Sequence, residues 1–227
     1  MKYTSKIINI NNKIIKIYIP INMNNIRLII LNSYESSSDN IINKCIKNSI
    51  KPFILVEITN INWNNELSPW YYKDNNTIYD GNANIYLNEL INIIIPKINN
   101  YINSLNINIT YYSLIGYSLA GLFALYASYN TNIFTSIASI SGSLWYPNII
   151  NYIKNNNIST NINKIYFSLG NKENKIKNSI MSKVRDNTII IEQYINNLHI
   201  NTIYEENEGN HFNNIDTRIY KAIKWLL

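Results

Sequence analysis

The sequence predicts an α/β protein built on a doubly wound, mostly parallel β-sheet with helices on both faces and an antiparallel N-terminal edge. Strand-like apolar segments alternate with helix-spaced segments along most of the 227 residues, which is the pattern of a parallel sheet with crossover helices. The central strand-like segments are nearly continuous apolar runs, as expected of strands that are covered on both faces. In such a sheet, active sites lie outside the carboxyl ends of the strands.

The first third of the chain is predicted to contain four strands and one helix. Residues 6–10 and 14–19 are rich in isoleucine and alternate only loosely, which favours an antiparallel edge. Residues 26–31 and 53–58 include the runs RLIIL and FILVEI, which are typical of buried strands. Between these two strands, residues 40–49 have the spacing of a helix.

A long aromatic loop is predicted at residues 61–82, followed by a crossover helix. Apolar residues at helical spacing predict that helix over residues 85–102, with Pro96 as a kink or an early break. The second half of the chain repeats the rhythm of strand and helix. Its strands are predicted at residues 110–115, 135–140, 164–169 and 200–204, and its helices at residues 119–129, 173–196 and 215–227.

An unusual composition limits what single residue types can indicate. Asparagine and isoleucine make up about two residues in five, far from ordinary usage, so asparagine loses most of its value as a turn signal. Glycine gains value, because only six are present and each is expected where a Cβ would clash or where φ is positive. The length, with no internal repeat and no linker, predicts a single domain over residues 1–227.

The charge pattern and the single cysteine argue against several classes of protein. The formal net charge is +6, but the 20 lysines and arginines are scattered and form no nucleic-acid-binding arm. No stretch approaches the length of an apolar membrane span, and the N-terminus lacks the apolar core of a signal peptide. Cys45 alone can form neither an internal disulfide nor a metal site. We therefore expect a cytoplasmic protein with no metal, no cofactor, no nucleic-acid partner and no membrane partner.

The most informative segment, GYSLAG, joins a predicted strand directly to a predicted helix. The pattern G-x-S-x-A/G in that context is typical of a nucleophile elbow, in which a serine stands on a sharp turn. Gly116 and Ala120 supply the small residues that the turn needs two positions before and two positions after Ser118. The alternative is that Ser118 only caps the helix that follows.

A serine nucleophile needs a base, usually a histidine, that an acid orients. Of the two histidines, His211 lies on a loop after the last predicted strand, whereas His199 enters that strand and is expected to have an ordinary structural role. The first acid after Ser118 is Glu173, just beyond the strand KIYFSL, and it is predicted to orient the base. Three alternatives stay open: a capping role for His211, a helix-terminus role for Glu173, and a site whose acid comes from the histidine loop or that has no acid.

The remaining site residues are predicted from the topology of the elbow and from the aromatic content. One oxyanion-hole donor is expected to be the backbone N–H directly after the serine, and the other an N–H in the loop after the strand RLIIL. Large aromatic residues near the predicted site are expected to wall a substrate pocket, although such residues also pack cores. The oxyanion candidates are Leu119 with Ser33 or Tyr34, and the substrate candidates are Trp63, Trp70, Tyr117 and Trp145.

These segments resemble the esterase family of the α/β-hydrolase fold that includes the siderophore (enterobactin-type) esterases, S-formylglutathione hydrolase and related bacterial hydrolases. The resemblance runs from about residue 53 to the C-terminus and is carried by WNNELSPWYY, YLNELINIIIPKI, GYSLAGLFALYA, SISGSLWYP, SLGNKENK and EGNHFNNIDTRIYKAIKWLL. It implies an α/β-hydrolase fold and hydrolysis of a carboxylic ester through an acyl-serine intermediate. It carries the family's nucleophile and base over to Ser118 and His211, and its acid to Glu173.

The sequence therefore predicts a serine-dependent esterase that acts on a small-molecule ester. Two alternatives remain. The departure at Ala120 and the open question of the acid allow a non-catalytic binding protein of the same fold. An acyltransferase would use the same serine and the same acyl-enzyme. Neither the ester nor the oligomeric state is predicted.

Overall fold

The computed structural model describes residues 2–74 and 77–227, and the chain divides into two compact units, residues 1–114 and 115–227. The division falls inside a strand of the main sheet, β7 (Asn108–Tyr117), so both units contain a part of that strand. The predicted single domain stays a prediction. None of the helices in the described ranges has both the length and the apolar content needed to cross a membrane.

The first unit contains the antiparallel edge that the sequence predicts. Its strands are β1 (Tyr3–Ile10), β2 (Lys13–Pro20), β3 (Asn25–Asn32) and β4 (Ile54–Thr59). They lie in the order β1-β2-β4-β3, with β1 antiparallel to β2, β2 antiparallel to β4, and β3 parallel to β4. Isoleucine and leucine side chains of β3 and β4 are fully buried, as the two continuous apolar runs predict.

The helices of the first unit follow the prediction except in the aromatic loop. Helix α1 (Ser38–Lys47) lies between β3 and β4. The predicted loop instead contains a short helix, α2 (Trp63–Glu66), and a hairpin of β5 (Tyr72–Asp74) and β6 (Thr77–Tyr79). The abundance of asparagine hid these elements, because a residue type this common no longer marks where strands and helices begin and end.

The crossover helix accommodates its proline without ending. It runs through α3 (Ala83–Glu89), a π-helical turn (Leu90–Ile94) and α4 (Ile95–Ser104), with Pro96 in the first turn of α4. Proline has no N–H to donate and its ring crowds the carbonyl four residues earlier. A π turn directly before the proline is the kind of local adjustment that relieves this conflict. The predicted helix is confirmed, and the predicted kink takes the form of this turn.

The second unit contains three further strands and four helices. The strands β8 (Phe134–Ile140), β9 (Lys164–Gly170) and β10 (Asn201–Asn207) follow β7 in the order β7-β8-β9-β10, and the pairs β8–β9 and β9–β10 are parallel. The helices are α5 (Leu119–Asn130), α6 (Ile149–Asn155), α7 (Val184–Asn196) and α8 (Ile215–Leu226). Strands and helices alternate in this unit, so loops at the carboxyl ends of parallel strands meet at one edge.

One predicted helix boundary is wrong, and it bears on the site. The helix predicted over residues 173–196 begins only at Val184, after a 3₁₀ turn at Met181–Lys183. Glu173 therefore lies in a turn after β9 and not in the first turn of a helix, which excludes the alternative role at a helix terminus. The reason is local: the Glu173 N–H donates to the Gly170 carbonyl, and the Glu173 carboxylate accepts the Gly170 N–H.

Candidate active site

The strand β7 passes into α5 through a sharp turn at Ser118. This residue has φ 61° and ψ −124°, a conformation that non-glycine residues seldom adopt and that the surrounding contacts must hold. The Ser118 N–H donates to the Ile140 carbonyl at 3.0 Å, and the Ser118 carbonyl accepts N–H groups of Leu122 and Ser143. The turn thus has the strained geometry that is typical of a nucleophile elbow.

The two small residues flanking the turn touch each other. A Cβ added to Gly116 would lie 2.3 Å from the backbone carbonyl of Ala120 and 2.6 Å from its Cβ. Such distances are far inside van der Waals contact, so the elbow needs glycine at position 116. Ala120 fits because its single methyl faces that glycine.

The hydroxyl of Ser118 points to a second serine that the sequence reasoning did not single out. The two oxygens, Oγ of Ser118 and Oγ of Ser143, are 3.4 Å apart, and the Ser143 N–H donates to the Ser118 carbonyl at 3.0 Å. Ser143 lies in the loop after β8, within the segment SISGSLWYP. The loop after β8 is therefore fixed directly against the elbow.

The structure brings His211 and Glu173 together. His211 lies in the loop after β10 and Glu173 in the turn after β9, and Nδ1 of the histidine is 2.8 Å from Oε2 of the carboxylate. The two loops are also joined by backbone bonds, because the N–H of Lys172 donates to the Gly209 carbonyl. His199, by contrast, is an exposed residue in the turn after α7.

Glu173 is buried and its second carboxylate oxygen accepts several hydrogen bonds. Oε1 accepts from Oγ of Ser141 at 2.8 Å, from the N–H of Gly170 at 2.6 Å and from Nη1 of Arg218 at 2.7 Å. Burial raises the pKa of this carboxyl, but the hydrogen bonds from His211, Gly170 and Ser141 outweigh burial and leave the pKa below its ordinary value. Glu173 is thus held as a carboxylate beside the histidine.

Arg218, on α8, is a part of the site that sequence reasoning missed. Its side chain is only 1% exposed, and besides Glu173 it contacts Oγ of Ser141 at 2.8 Å and the carbonyls of Glu208 and Asn210 in the loop before His211. The sequence held a signal, because Arg218 stands in line with Ala222 and Leu226 at four-residue spacing. A charged residue on the buried stripe of a helix needs a partner.

Tyr117 is a predicted substrate contact, and its side chain is buried against the loop after β10 that carries His211, the histidine loop. Its hydroxyl donates to the backbone carbonyl of His211 at 2.6 Å and accepts from Nη1 of Arg218 at 3.0 Å. The rings of Tyr117 and His211 have centroids 5.3 Å apart. Since Tyr117 directly precedes Ser118, these contacts link the histidine loop to the elbow.

The other predicted site residues divide between the two units. In the first unit, Tyr34 and Trp63 form an edge-to-face pair with ring centroids 5.4 Å apart, and the N–H of Ser33 donates to the Ile58 carbonyl at 2.9 Å. Trp70, also in the first unit, is half-buried with its backbone close to Gly81. In the second unit, Trp145 lines a cavity of about 430 Å³.

No group of three or more histidine, cysteine, aspartate or glutamate side chains that could hold a metal ion occurs in residues 2–74 and 77–227.

Comparison with known proteins identifies the family. The family described as "Putative esterase" matches residues 33–211, which is well over half of the chain. The chain belongs to this esterase family. Among individual proteins, the uncharacterized protein YbbA of Bacillus subtilis (strain 168) is 30% identical over 148 residues, covering 62% of the chain and 57% of YbbA. The chain thus spans less than two thirds of the length of this curated relative.

Solved structures resemble the chain along nearly its whole length. The siderophore hydrolase EstA from Aspergillus nidulans matches with a TM-score of 0.80 at 15% identity, over 99% of the chain and 93% of EstA. An IroE-like serine hydrolase from Shewanella oneidensis matches with a TM-score of 0.79 at 17% identity, over 99% of the chain and 80% of that protein. This likeness establishes the fold, and the predicted α/β-hydrolase fold with an antiparallel N-terminal edge is confirmed.

Proposed function

We propose that this member of the esterase family is a serine esterase that hydrolyses a carboxylic ester through an acyl-serine intermediate. Ser118 is the nucleophile, His211 the base and Glu173 the acid that orients the base. The observation that carries this assignment is the 2.8 Å contact between Nδ1 of His211 and the buried carboxylate of Glu173. A carboxylate on Nδ1 fixes the tautomer in which Nε2 can accept a proton, and it stabilises the imidazolium that forms.

The proposed reaction has two halves. In the first, Ser118 Oγ attacks the ester carbonyl while His211 takes its proton, and the histidine then protonates the leaving alcohol. In the second, water attacks the acyl-serine carbonyl while His211 takes a proton from the water. The bond between the acyl group and Ser118 Oγ then breaks, His211 protonates Oγ, and the carboxylic acid leaves. The Tyr117 contacts with the His211 carbonyl and Arg218 support a role for Tyr117 in holding the histidine loop, and we assign it that role in place of substrate contact.

The backbone N–H group of Leu119 is the proposed oxyanion donor within the second unit. Leu119 is the first residue of α5, and the first N–H groups of a helix have no partner within the helix. The second donor, Ser33 or Tyr34, stays a prediction; the Ser33 N–H donates to the Ile58 carbonyl within the first unit. Such donors stabilise the negative charge that develops on the carbonyl oxygen.

The role of Ser118 is tested by turnover of p-nitrophenyl butyrate. We expect Ser118→Ala to lower kcat by roughly 10³-fold or more, because only binding and oxyanion effects then remain. Ser104→Ala, at an exposed serine at the end of α4, is the matched control and should leave the rate unchanged. Equal rates for the protein and for Ser118→Ala would reject the proposal. Failure of a fluorophosphonate probe to label the folded protein would favour a non-catalytic binding protein of the same fold.

The substrate and the setting are further parts of the proposal. EstA is a siderophore hydrolase, so an ester panel should include ferric and iron-free catecholate siderophores, S-formylglutathione and short p-nitrophenyl esters. Turnover of simple short esters alone would reject a siderophore substrate.

Adding a nucleophilic alcohol separates hydrolysis from acyl transfer, since both use the same acyl-enzyme. The single cysteine, Cys45, favours a reducing, cytoplasmic setting.

A further inference from the structure

A cavity of about 430 Å³ lies within the second unit, between the loop that follows β8 and the start of α7. Its volume is in the range of small-molecule sites. One wall, formed by residues 145–151, includes Trp145, Pro147 and Ile149 together with Asn148 and Asn151. The other wall, before and at the start of α7, includes Ile180, Lys183 and Asn187. The cavity thus combines a surface that suits a hydrocarbon or aromatic group with a single cation.

The cavity begins a short distance from Ser118. Ser143 contacts Ser118 through both its N–H and its hydroxyl, and Trp145 follows two residues later. Because consecutive Cα atoms are about 3.8 Å apart, the Cα atoms of Ser143 and Trp145 are at most about 7.6 Å apart. The Nδ2 of Asn187 donates to the Leu144 carbonyl at 2.8 Å, which fixes the start of α7 to the same segment. Both walls are therefore tied to the elbow.

The charged side chains at and near the cavity are mostly cations, with Asp186, three residues beyond Lys183 on α7, as the exposed acid of that helix. The cavity lining includes Lys183 and no aspartate or glutamate. The exposed lysines 172, 175 and 177 lie in the segment that leads to it, whose only acid, Glu173, is buried and bonded to His211 and Arg218. Over residues 2–74 and 77–227, none of the ion pairs within 4.0 Å involves Lys183. A cation without a carboxylate partner at the edge of an apolar cavity suits a ligand that brings the negative charge.

We propose that this cavity binds one side of the substrate ester, and that Lys183 pairs with an anionic group, such as a carboxylate, which a short apolar linker separates from the ester bond. The inference rests on the proposed esterase function and adds the class of ester to it. The apolar side chains of the cavity bind the linker, and Lys183 discriminates an anionic ester from a neutral one of the same size. The anionic group belongs to either the acyl part or the alcohol part, and the experiment distinguishes the two.

Two matched pairs of esters test the proposal. In the acyl pair, 4-nitrophenyl hydrogen adipate is compared with 4-nitrophenyl hexanoate; in the alcohol pair, 4-carboxyphenyl butyrate is compared with 4-carbamoylphenyl butyrate. For one pair, we expect Lys183→Gln to lower kcat/KM for the anionic ester by about fivefold and to leave kcat/KM for the neutral ester unchanged. A fivefold change is about the size of effect that a partly exposed ion pair gives. Lys183→Glu should lower kcat/KM for the anionic ester further. High salt should weaken the preference of the unaltered protein.

Lys175→Gln is the matched control, because Lys175 is an exposed lysine of the same segment that does not line the cavity. If Lys183→Gln and Lys175→Gln have the same effect, or if Lys183→Gln changes the anionic and neutral esters of both pairs equally, the proposal is wrong. The pair that responds shows which side of the ester lies in the cavity.

A binding measurement separates this proposal from the proposed catalysis. The affinity of Ser118→Ala for amide analogues of the esters can be measured by calorimetric titration, which needs no turnover. The acyl pair is represented by the monoanilide of adipic acid and hexananilide, and the alcohol pair by its corresponding amides. We expect one anionic analogue to bind about fivefold more tightly than its neutral partner, and Lys183→Gln in the same background to remove the difference. Full activity of Ser118→Ala would reject the serine mechanism and leave this test intact. Equal affinities in both pairs would reject the anionic site and leave the mechanism intact.

Discussion

At the scale of single residues, Arg218 contacts several parts of the candidate site, although the sequence motifs did not single it out. It contacts the acid Glu173, the hydroxyls of Tyr117 and Ser141, and two carbonyls of the loop that carries His211. A guanidinium presents its donors in a fixed planar fork, so one side chain can hold several acceptors in a set geometry. Arg218 therefore fixes the position of the acid and of the histidine loop together.

The pairing of Arg218 with Glu173 makes a prediction about stability. Arg218→Met leaves a buried carboxylate without its cation, and we expect it to lower the free energy of unfolding by about 3–5 kcal/mol, as breaking a buried ion pair does. Denaturant unfolding measures the loss. Adding Glu173→Gln should restore a part of it, because the double variant no longer buries an unpaired charge. A double variant no more stable than Arg218→Met would contradict this account of the pair.

The matched control for Arg218 lies on the same helix. Lys221 forms an ion pair with Glu205, and both side chains are about one-third exposed. Because solvent screens such a pair, Lys221→Met should change the free energy of unfolding by no more than about 1 kcal/mol.

At the scale of elements, the junction of β7 and α5 places the strictest demand on side-chain size. Gly116 at the end of the strand and Ala120 in the first turn of the helix are in contact across the Ser118 turn. The helix α5 is buried along most of its length, so it has little freedom to move away. Its backbone also approaches the loop after β8, since a Cβ on Gly121 would lie 3.0 Å from the Gly142 Cα.

This geometry predicts a larger loss of stability from adding a methyl group at position 116 than from removing one at position 120. Gly116→Ala would place a Cβ 2.3 Å from the Ala120 carbonyl, and we expect a loss of at least about 3 kcal/mol in the free energy of unfolding, the upper part of the usual range for overpacking. Ala120→Gly removes a methyl from the same contact and should cost only about 1 kcal/mol, the helix penalty of glycine. Thermal or denaturant unfolding of both variants makes the comparison. The account fails if the two variants are equally stable.

At the scale of the whole molecule, Glu173 links folding stability to pH. Its pKa in the folded protein lies below the ordinary value of 4.5. A carboxyl with a lowered folded pKa contributes stability above its unfolded pKa, and the contribution is lost as the pH falls through the folded pKa. Acid therefore weakens the fold by protonating a carboxylate that several donors hold in its charged form.

The measurement is the difference in unfolding free energy between the protein and Glu173→Gln as a function of pH. We expect the difference to be largest near pH 7 and to shrink as the pH falls below the ordinary value of 4.5 and through the lowered folded-state pKa of Glu173. Glu35→Gln, at an exposed carboxyl, is the control and should change stability little at any pH. A difference for Glu173→Gln that stays constant over this range would show that its charge is not what stabilises the fold.

The match between sequence and structure differs from one element to another for physical reasons. Strands β3 and β4 follow from continuous apolar runs, and the crossover helix of α3 and α4 follows from helical spacing; both are local properties. The start of α7 does not, because residues 171–180 have polar, lysine-rich character compatible with a helix, while contacts of Glu173 with Gly170 and Ser141 hold the chain in a turn. The predicted loop before α3 likewise contains the paired strands β5 and β6, which the sequence did not predict because asparagine is too common in this chain to mark strand ends.

The sequence by itself determined the alternation of strands and helices, the small residues around Ser118 and the order of serine, acid and histidine along the chain. These depend on residue type, periodicity and short spacing. Only the tertiary structure decided that Arg218 meets Glu173, 45 residues away in sequence, that Ser141 meets it from 32 residues away, and that the Tyr117 hydroxyl belongs to the histidine loop. Such contacts exist because neighbouring parallel strands bring their carboxyl ends to one edge, a property of the assembled sheet that no local stretch of chain contains.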